Sequence, residues 1–358
     1  GLAIAGIDFL TPDIGRSWLT GVGRICEVNA SLGLRPHWLS NPSRDVVGPI
    51  LEAVVPAGQD GRIPTVAVTG TNGKTTTCRM IASILARSGR RVGLATTDGV
   101  TIGGRWVALG DLAGAPGARL VFGDGLVDAA VLETARGGLQ RRGTGFDRCD
   151  VAAVLNIAAD HVGQDGIPDL DALAALKGRV ALSARRAVVL NADDDLTRRM
   201  ADSAASRRVI LFTLAPELEG PRPARCDDLL TLEAGEIVWT GAEGRVPILA
   251  AGAIPATHGG RAVHNTANAL AAIGLALGLG LPVETIREAL AGFDSGGAHS
   301  PGRLNHIEGL PFGLLLDFAN NPPALRAVAA YVDGLACAGR RIAAFTAPGN
   351  RPDDHLRD

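Results

Sequence analysis

The segment TVAVTGTNGKTTT, residues 65–77, leaves this chain few folds to choose from. A β-branched apolar run, a turn spaced by glycines and a GKT that opens a helical pattern make the layout of a phosphate-binding loop. The glycines let successive backbone N–H groups turn towards an anion, and the helix N-terminus adds its dipole. Gly70, Thr71, Asn72, Gly73, Lys74, Thr75 and Thr76 are therefore the candidate nucleotide-binding residues. Lys74 would answer the β/γ-phosphate charge, and the Thr75 hydroxyl is available to Mg²⁺. The general P-loop has a glycine about six positions before its lysine, where this chain has Val68. The competing reading is a plain strand-to-helix turn with a solvated lysine.

A strand that feeds a helix in this way belongs to a longer alternation. RVGLATT, DAAVLET, VAAVLNI and AVVLNA read as further strands, and Lys74–Ser88 and Asp169–Ala184 as the clearest helices. Such alternation predicts an α/β fold, a mostly parallel sheet with helices on both faces. Between 214 and 262 the texture changes to proline, glycine and short alternating runs such as GEIVWTG, which predict hairpins. Asn265–Leu279 and Val283–Gly292 read as helices and 296–305 as a linker. FGLLLDFANNP, with a helix at Ala324–Ala338, reads as the opening of a second α/β unit too short to close a full sheet. At 358 residues the chain has room for two or three domains.

Charge narrows the partners. A formal net charge of −2 offers no basic field to nucleic acid or to an anionic membrane. The longest apolar run, residues 269–283, falls short of a membrane span of ~20 residues and predicts a buried helix instead. The five cysteines are odd in number and contain no C-x-x-C pair, which argues against a disulfide framework or structural zinc and fits a reducing cytoplasm. The start, GLAIAGIDFL, has neither a methionine nor a basic stretch, so we expect a cut end rather than a signal peptide.

Glu133 closes the strand AAVLE, and Asp160-His161 follows VAAVLNI. Both therefore land at the sheet edge where open α/β folds bind their ligands. Singly, each would read as a solvated side chain; together they predict a metal-binding edge. Lys177 is a second anomaly. Of 35 Lys and Arg residues only Lys74 and Lys177 are lysine. A lysine kept on an amphipathic helix, in a chain that otherwise writes arginine, points to chemistry that a permanently protonated guanidinium cannot do.

These motifs resemble those of the Mur ligase family, the ATP-dependent amide ligases that include the peptidoglycan amino-acid-adding enzymes and folylpolyglutamate synthase. TGTNGKT matches the family's shortened loop, Glu133 its magnesium-site glutamate, His161 its histidine and Lys177 the lysine that follows. LETARGGLQRRGTGFDRCDV, NADD, HGGRAV and PGRLN look more narrowly like the Mur-type half of the cyanophycin synthetases, a branch whose members build an aspartate backbone bearing arginine branches. The resemblance covers about residues 60–350. It implies a Mur ligase-type central P-loop domain with a mostly parallel sheet and an incomplete C-terminal α/β domain.

For function, the resemblance implies that MgATP phosphorylates a carboxylate and that an amine then attacks the acyl phosphate. The implied acceptor is the β-carboxyl of a terminal aspartate in an aspartate–arginine polymer primer, and the amine is that of arginine. Lys74, His161 and Lys177 would be catalytic. Thr75, Glu133, His161 and Lys177 would serve the metal, Lys177 as a carbamate. Asn265, Asn268, Arg303 and Asp317 would join the loop in holding nucleotide. GIDFLTPDI and ICEVNASLGLRPHW look like the closing strands of an ATP-grasp domain, in which Glu27 and Asn29 would hold magnesium.

The implied organisation is an ATP-grasp remnant at 1–36, a linker at 37–59, a central ATP-binding domain at 60–298 and a partial C-terminal domain at 299–358, as in a fragment or a truncated homologue. DFANNP places Asn320 where the family has histidine, and PGNR places Asn350 where it has aspartate. These departures leave open a nucleotide-binding module without turnover, or another Mur-type ligase of the folylpolyglutamate synthase kind. A P-loop kinase or GTPase is disfavoured by Val68 and by the pairing of His161 with Lys177. No nucleic-acid or membrane partner is expected; a homo-oligomer stays open.

Overall fold

The computed structural model describes residues 4–346 apart from 56, 57, 161, 164, 205, 206, 221, 222, 243, 295 and 297–299. The chain divides into two units, Gly1–Arg62 and Ile63–Asp358. In the first, β1 (Gly6–Leu10) and β2 (Arg24–Asn29) form an antiparallel hairpin that sets Asp8 opposite Glu27 and Gly6 opposite Asn29. Two short helices, α1 (Arg35–Ser40) and α2 (Val47–Val54), occupy much of the stretch that reads as a linker. None of this unit's described residues is buried. Its described residues form no core of their own, and a lone hairpin is marginal in water.

The second unit is built around β3 (Thr65–Thr69), the strand that feeds the glycine loop. Along the chain follow α3 (Lys74–Arg87), β4 (Val92–Thr96), β5 (Gly99–Ile102), β6 (Arg105–Leu109), α4 (Ala115–Phe122), β7 (Ala129–Glu133), α5 (Arg136–Arg142) and β8 (Cys149–Val154). Next come α6 (Leu170–Ser183), β9 (Ala184–Asn191), α7 (Asp195–Arg199), β10 (Arg208–Phe212), β11 (Asp228–Glu233), β12 (Glu236–Gly241) and β13 (Gly244–Ala250). The helices α8 (Val263–Leu279) and α9 (Val283–Ala291), the antiparallel pair β14 (Asn305–Ile307) and β15 (Leu314–Leu316), and α10 (Pro322–Asp333) complete it. Among the described residues one 11-stranded sheet runs in the order β13-β12-β11-β10-β9-β8-β3-β7-β4-β5-β6. Pairing is parallel from β11 to β4 and antiparallel at both edges.

Strands β3, β7 and β8 are buried at every residue. Burial on both faces requires the continuous apolar runs that these strands have. On one face Val66 and Val68 pack with Cys78, Ile81 and Ile84 of α3 and with the apolar residues of α8. On the other, Ala67 joins Leu173, Leu176 and Val180 of α6. Each fully buried isoleucine contributes about 1.5–3 kcal/mol, so α3 is anchored firmly behind its loop. Helix α8 approaches β9 closely because Gly274 and Gly278, one turn apart, face the sheet; a Cβ at Gly274 would lie 2.8 Å from Val189 Cγ1.

The hairpins expected at 214–262 are present as β12 and β13, which extend the main sheet from β11. The helix expected at Ala324–Ala338 is α10: prolines fill its first positions, which need no N–H, and it ends at Gly334. β5, β6, β10, β14, α4, α5 and α7 have no counterpart among the expected elements. The apolar run 269–283 is the second half of α8, ended by Gly280 at φ 81°, with the turn into α9. Among the described residues no helix is long and apolar enough to cross a membrane.

Candidate functional site

The loop after β3 depends on two glycines with positive φ, 156° at Gly70 and 84° at Gly73. A Cβ at Gly73 would fall 2.2 Å from Asn268 Oδ1, so both the backbone angle and the space call for glycine there. Asn156, just beyond β8, grips the loop. Its Oδ1 accepts from Asn72 N (2.8 Å), its carbonyl accepts from Thr71 N (2.9 Å), and its Nδ2 donates to Asn72 O (3.2 Å). Lys74 Nζ folds back over the loop and donates to Thr71 O at 2.8 Å.

Thr75 is the second residue of α3, beside the end of β7. Its hydroxyl donates to Glu133 Oε2 at 2.8 Å, and Thr97, directly after β4, donates its N–H to the same oxygen at 3.2 Å. Glu133 is 1% exposed. A carboxylate flanked by two threonine hydroxyls is a hard-oxygen set of the kind magnesium takes. Among the described residues no group of three or more His, Cys, Asp or Glu could cage a metal alone.

Lys177 reaches the loop from α6. It is 3% exposed, and its Nζ donates to Gly70 O at 2.8 Å. Burial, followed by the nearby Lys74 and Arg136, lowers its pKa from 10.5 to about 7 against the opposing pull of Asp160. A buried amine with this pKa is neutral for a large fraction of the time at physiological pH.

One cavity of about 950 Å³ gathers these groups: Gly70–Thr76, Glu133, Lys177, Asn265, Asn268, Arg303 and Asp317 all line it. Asn268 Nδ2 donates to Asn265 Oδ1 at 3.2 Å on α8. Asp317, after β15, accepts from Leu304 N (2.8 Å) and Ala319 N (2.7 Å). Asp160 and Asn320 also line the cavity. His161 and Asn350 lie outside the described residues. Glu27 and Asn29 belong to the first unit, two positions apart on β2.

Sequence reasoning missed Thr97, Asn156 and Asn321. Thr97 and Asn156 follow the C-terminal ends of β4 and β8, so the strand-edge rule that nominates Glu133 would have found them. Asn321 caps α10 by accepting from Ala324 N (3.0 Å) and also exchanges amide hydrogen bonds with Asn72. Asn72 Nδ2 donates to Asn321 Oδ1 at 3.0 Å, and Asn321 Nδ2 donates to Asn72 Oδ1 at 2.8 Å. No local pattern announces that pair.

The family model described as Mur ligase middle domain matches residues 68–276. Cyanophycin synthetase of Synechocystis sp. is 39% identical over 362 residues, which cover 99% of this chain and 41% of that protein. The enzyme of the same name from Trichormus variabilis is 40% identical over 367 residues, covering 99% and 40%. UDP-N-acetylmuramoylalanine–D-glutamate ligase of Streptomyces avermitilis is 31% identical over 290 residues, covering 77% of this chain and 56% of that one. The chain thus spans well under half the length of the two cyanophycin synthetases. Among solved structures, E. coli FolC in complex with DHPP and ADP superposes with a TM-score of 0.58 at 22% identity, covering 85% of this chain and 74% of that one. MurF from Acinetobacter baumannii superposes with a TM-score of 0.55 at 22% identity, covering 76% and 55%. At such identities the likeness shows a shared fold.

Proposed function

This chain belongs to the Mur ligase family, and from that premise we propose that it carries the ATP-dependent amide-ligase site of a cyanophycin synthetase-like enzyme. The site would join the α-amino group of arginine to the β-carboxyl of an aspartate in an aspartate–arginine polymer primer. One observation carries the reading: a phosphate loop, a buried strand-end glutamate and the chain's only two lysines converge on one cavity.

In the first step a carboxylate oxygen bonds to the γ-phosphorus of ATP and the bond to ADP breaks. In the second the amine nitrogen bonds to the acyl carbon, phosphate leaves and the nitrogen loses a proton. Two anions must meet in the first step, so their charge has to be neutralised. The loop N–H groups and Lys74 hold the β/γ-phosphates, while Asn265, Asn268, Arg303 and Asp317 complete the hold on the nucleotide. Magnesium, when bound by Thr75 and Glu133, supplies further neutralisation between the two anions. His161 would act at the same edge. The neutral Lys177 amine would add to CO₂ and release a proton, which turns an uncharged amine into an anionic oxygen donor suited to a hard metal. The wider organisation stays as the resemblance implies: an ATP-grasp remnant at 1–36 with Glu27 and Asn29 as magnesium residues, a linker at 37–59, a central domain at 60–298 and a partial C-terminal domain at 299–358, in a cytoplasmic enzyme.

The test is ADP release with an aspartate-rich primer and arginine, each supplied and withheld. Release that needs both supports the ligase. Release without arginine indicates a kinase. A module that binds nucleotide without turnover, the reading that Asn320 in the cavity favours, would bind ATP and release no ADP. Glu133→Gln keeps the shape and drops the charge. It is expected to raise the Mg²⁺ concentration needed for nucleotide binding by about tenfold or more, and an unmoved magnesium titration would make Glu133 structural.

A further inference from the structure

Arg79, on α3 shortly after Lys74, is a buried cation that does not line the nucleotide cavity. Its side chain is 7% exposed, and both ends of its guanidinium are committed. Nη2 donates to Asp98 Oδ2 at 2.7 Å and Nη1 donates to Ser300 Oγ at 2.8 Å. Asp98 follows Thr97, whose N–H bonds Glu133. The second oxygen of Asp98 lies 4.0 Å from Arg303 Nη2. Asp98 therefore stands between two arginines, one behind the phosphate loop and one in the segment that leads into β14.

Arg303 itself is loosely held. Its Nη2 is 3.4 Å from Thr75 Oγ1, its guanidinium lies 4.8 Å over the Phe318 ring, and its buried Nε has no hydrogen-bond partner among the described residues. The turn that carries it is fixed more firmly, because Arg303 N donates to Ser300 O at 3.2 Å and Ser300 is completely buried against Arg79. A buried cation needs a counter-ion for stability alone. That need accounts for one oxygen of Asp98; it does not account for the other facing Arg303, nor for Arg79 gripping the very turn from which Arg303 projects.

We infer that Arg79 and Asp98 are a positioning pair for Arg303, holding its guanidinium at the Thr75 end of the loop, where it meets the terminal phosphate of a nucleoside triphosphate. The inference rests on the nucleotide reading above. Without Asp98 the two arginines repel each other with no carboxylate bridging them, and among the described residues Arg303 keeps an aromatic ring and one long contact to define its place.

The test replaces the pair by neutral groups, Arg79→Met with Asp98→Asn, so that neither charge is left unpaired. Calorimetry then measures binding of magnesium-ADP and of a non-hydrolysable ATP analogue, and melting curves report the fold. The double variant should keep its ADP affinity and lose about tenfold in affinity for the triphosphate analogue, the worth of one charge-assisted contact. Arg303→Ala should lose as much, and adding it to the double variant should cost nothing more, because the pair acts through Arg303. Full retention of triphosphate affinity, additive losses, or equal loss of both ligands with a lowered melting temperature would each overturn the inference. If the parent chain binds neither nucleotide, the nucleotide reading fails and this inference falls with it; any other failing result removes the positioning pair alone.

Discussion

Lys74→Ala is expected to lower the affinity for MgATP by about ten- to a hundredfold, the range for losing hydrogen bonds to a charged group, and to abolish phosphorylation of the carboxylate. Lys74 is half-buried, and among the described residues its ammonium bonds the carbonyl of Thr71 in its own loop. Alanine is a good helix former at this first position of α3, so the fold should not suffer. Gly70 and Gly73 keep their backbone angles, and the loop N–H groups remain able to meet phosphate. Calorimetry with ATP and a melting curve on the same preparation separate the outcomes. Unchanged ATP affinity in a chain that melts like the parent would remove the phosphate-loop reading altogether.

Lys177 should give the second large effect, with a pH dependence of definite sign. Its folded-state pKa of about 7 lies below the ordinary 10.5. Between those values the unfolded chain binds more protons than the folded one, so stability rises with pH across that window. Below about 7 the penalty for burying the ammonium is fully present. In CO₂-free buffer the melting temperature of the parent, relative to Lys177→Met, should therefore climb from pH 7 towards pH 10; a flat difference would show that the amine is not buried in solution. Lys177→Arg places a guanidinium that cannot shed its proton beside Gly70 O. It should abolish arginine addition, whereas Lys177→Glu, which brings its own carboxylate, should retain more. Full turnover by the arginine variant, or no labelled carbamate after incubation with isotopically labelled bicarbonate, would reject the carbamate.

The centre of the fold was legible because burial on two faces writes continuous apolar runs. TVAVT, AAVLE and VAAVLNI mark β3, β7 and β8, the last of which begins two residues earlier at Cys149, and the strand-edge rule carried Glu133 into the cavity. What escaped had physical reasons. Helix α5 contains Gly137 and Gly138, which lower helix propensity; Gly138 is needed because a Cβ there would come 2.9 Å from Ala113 O. Packing overrode propensity. The hairpin of β5 and β6 turns on Gly103 and Gly104, both with positive φ, a pair that marks tight hairpins and could have been read. The Asn72–Asn321 exchange spans 249 residues and is visible only once the chain has folded. Arg79 reads in sequence as an ordinary helical arginine; its burial emerges only from the packing around it.

The strand order also governs how the chain comes off the ribosome. β3 is made first among the strands of its sheet, yet it lies between β7 and β8, and its Thr69 hydroxyl bonds the carbonyl of Thr134, 65 residues later. Until both neighbours are synthesised, TVAVT is an unpaired strand of high β-propensity, able to template pairing with other chains. Parallel pairing between segments so distant is intrinsically slow. Nascent chains halted before Val154 should accumulate in aggregates or on chaperones, and release into soluble form should begin only when β8 has cleared the exit tunnel.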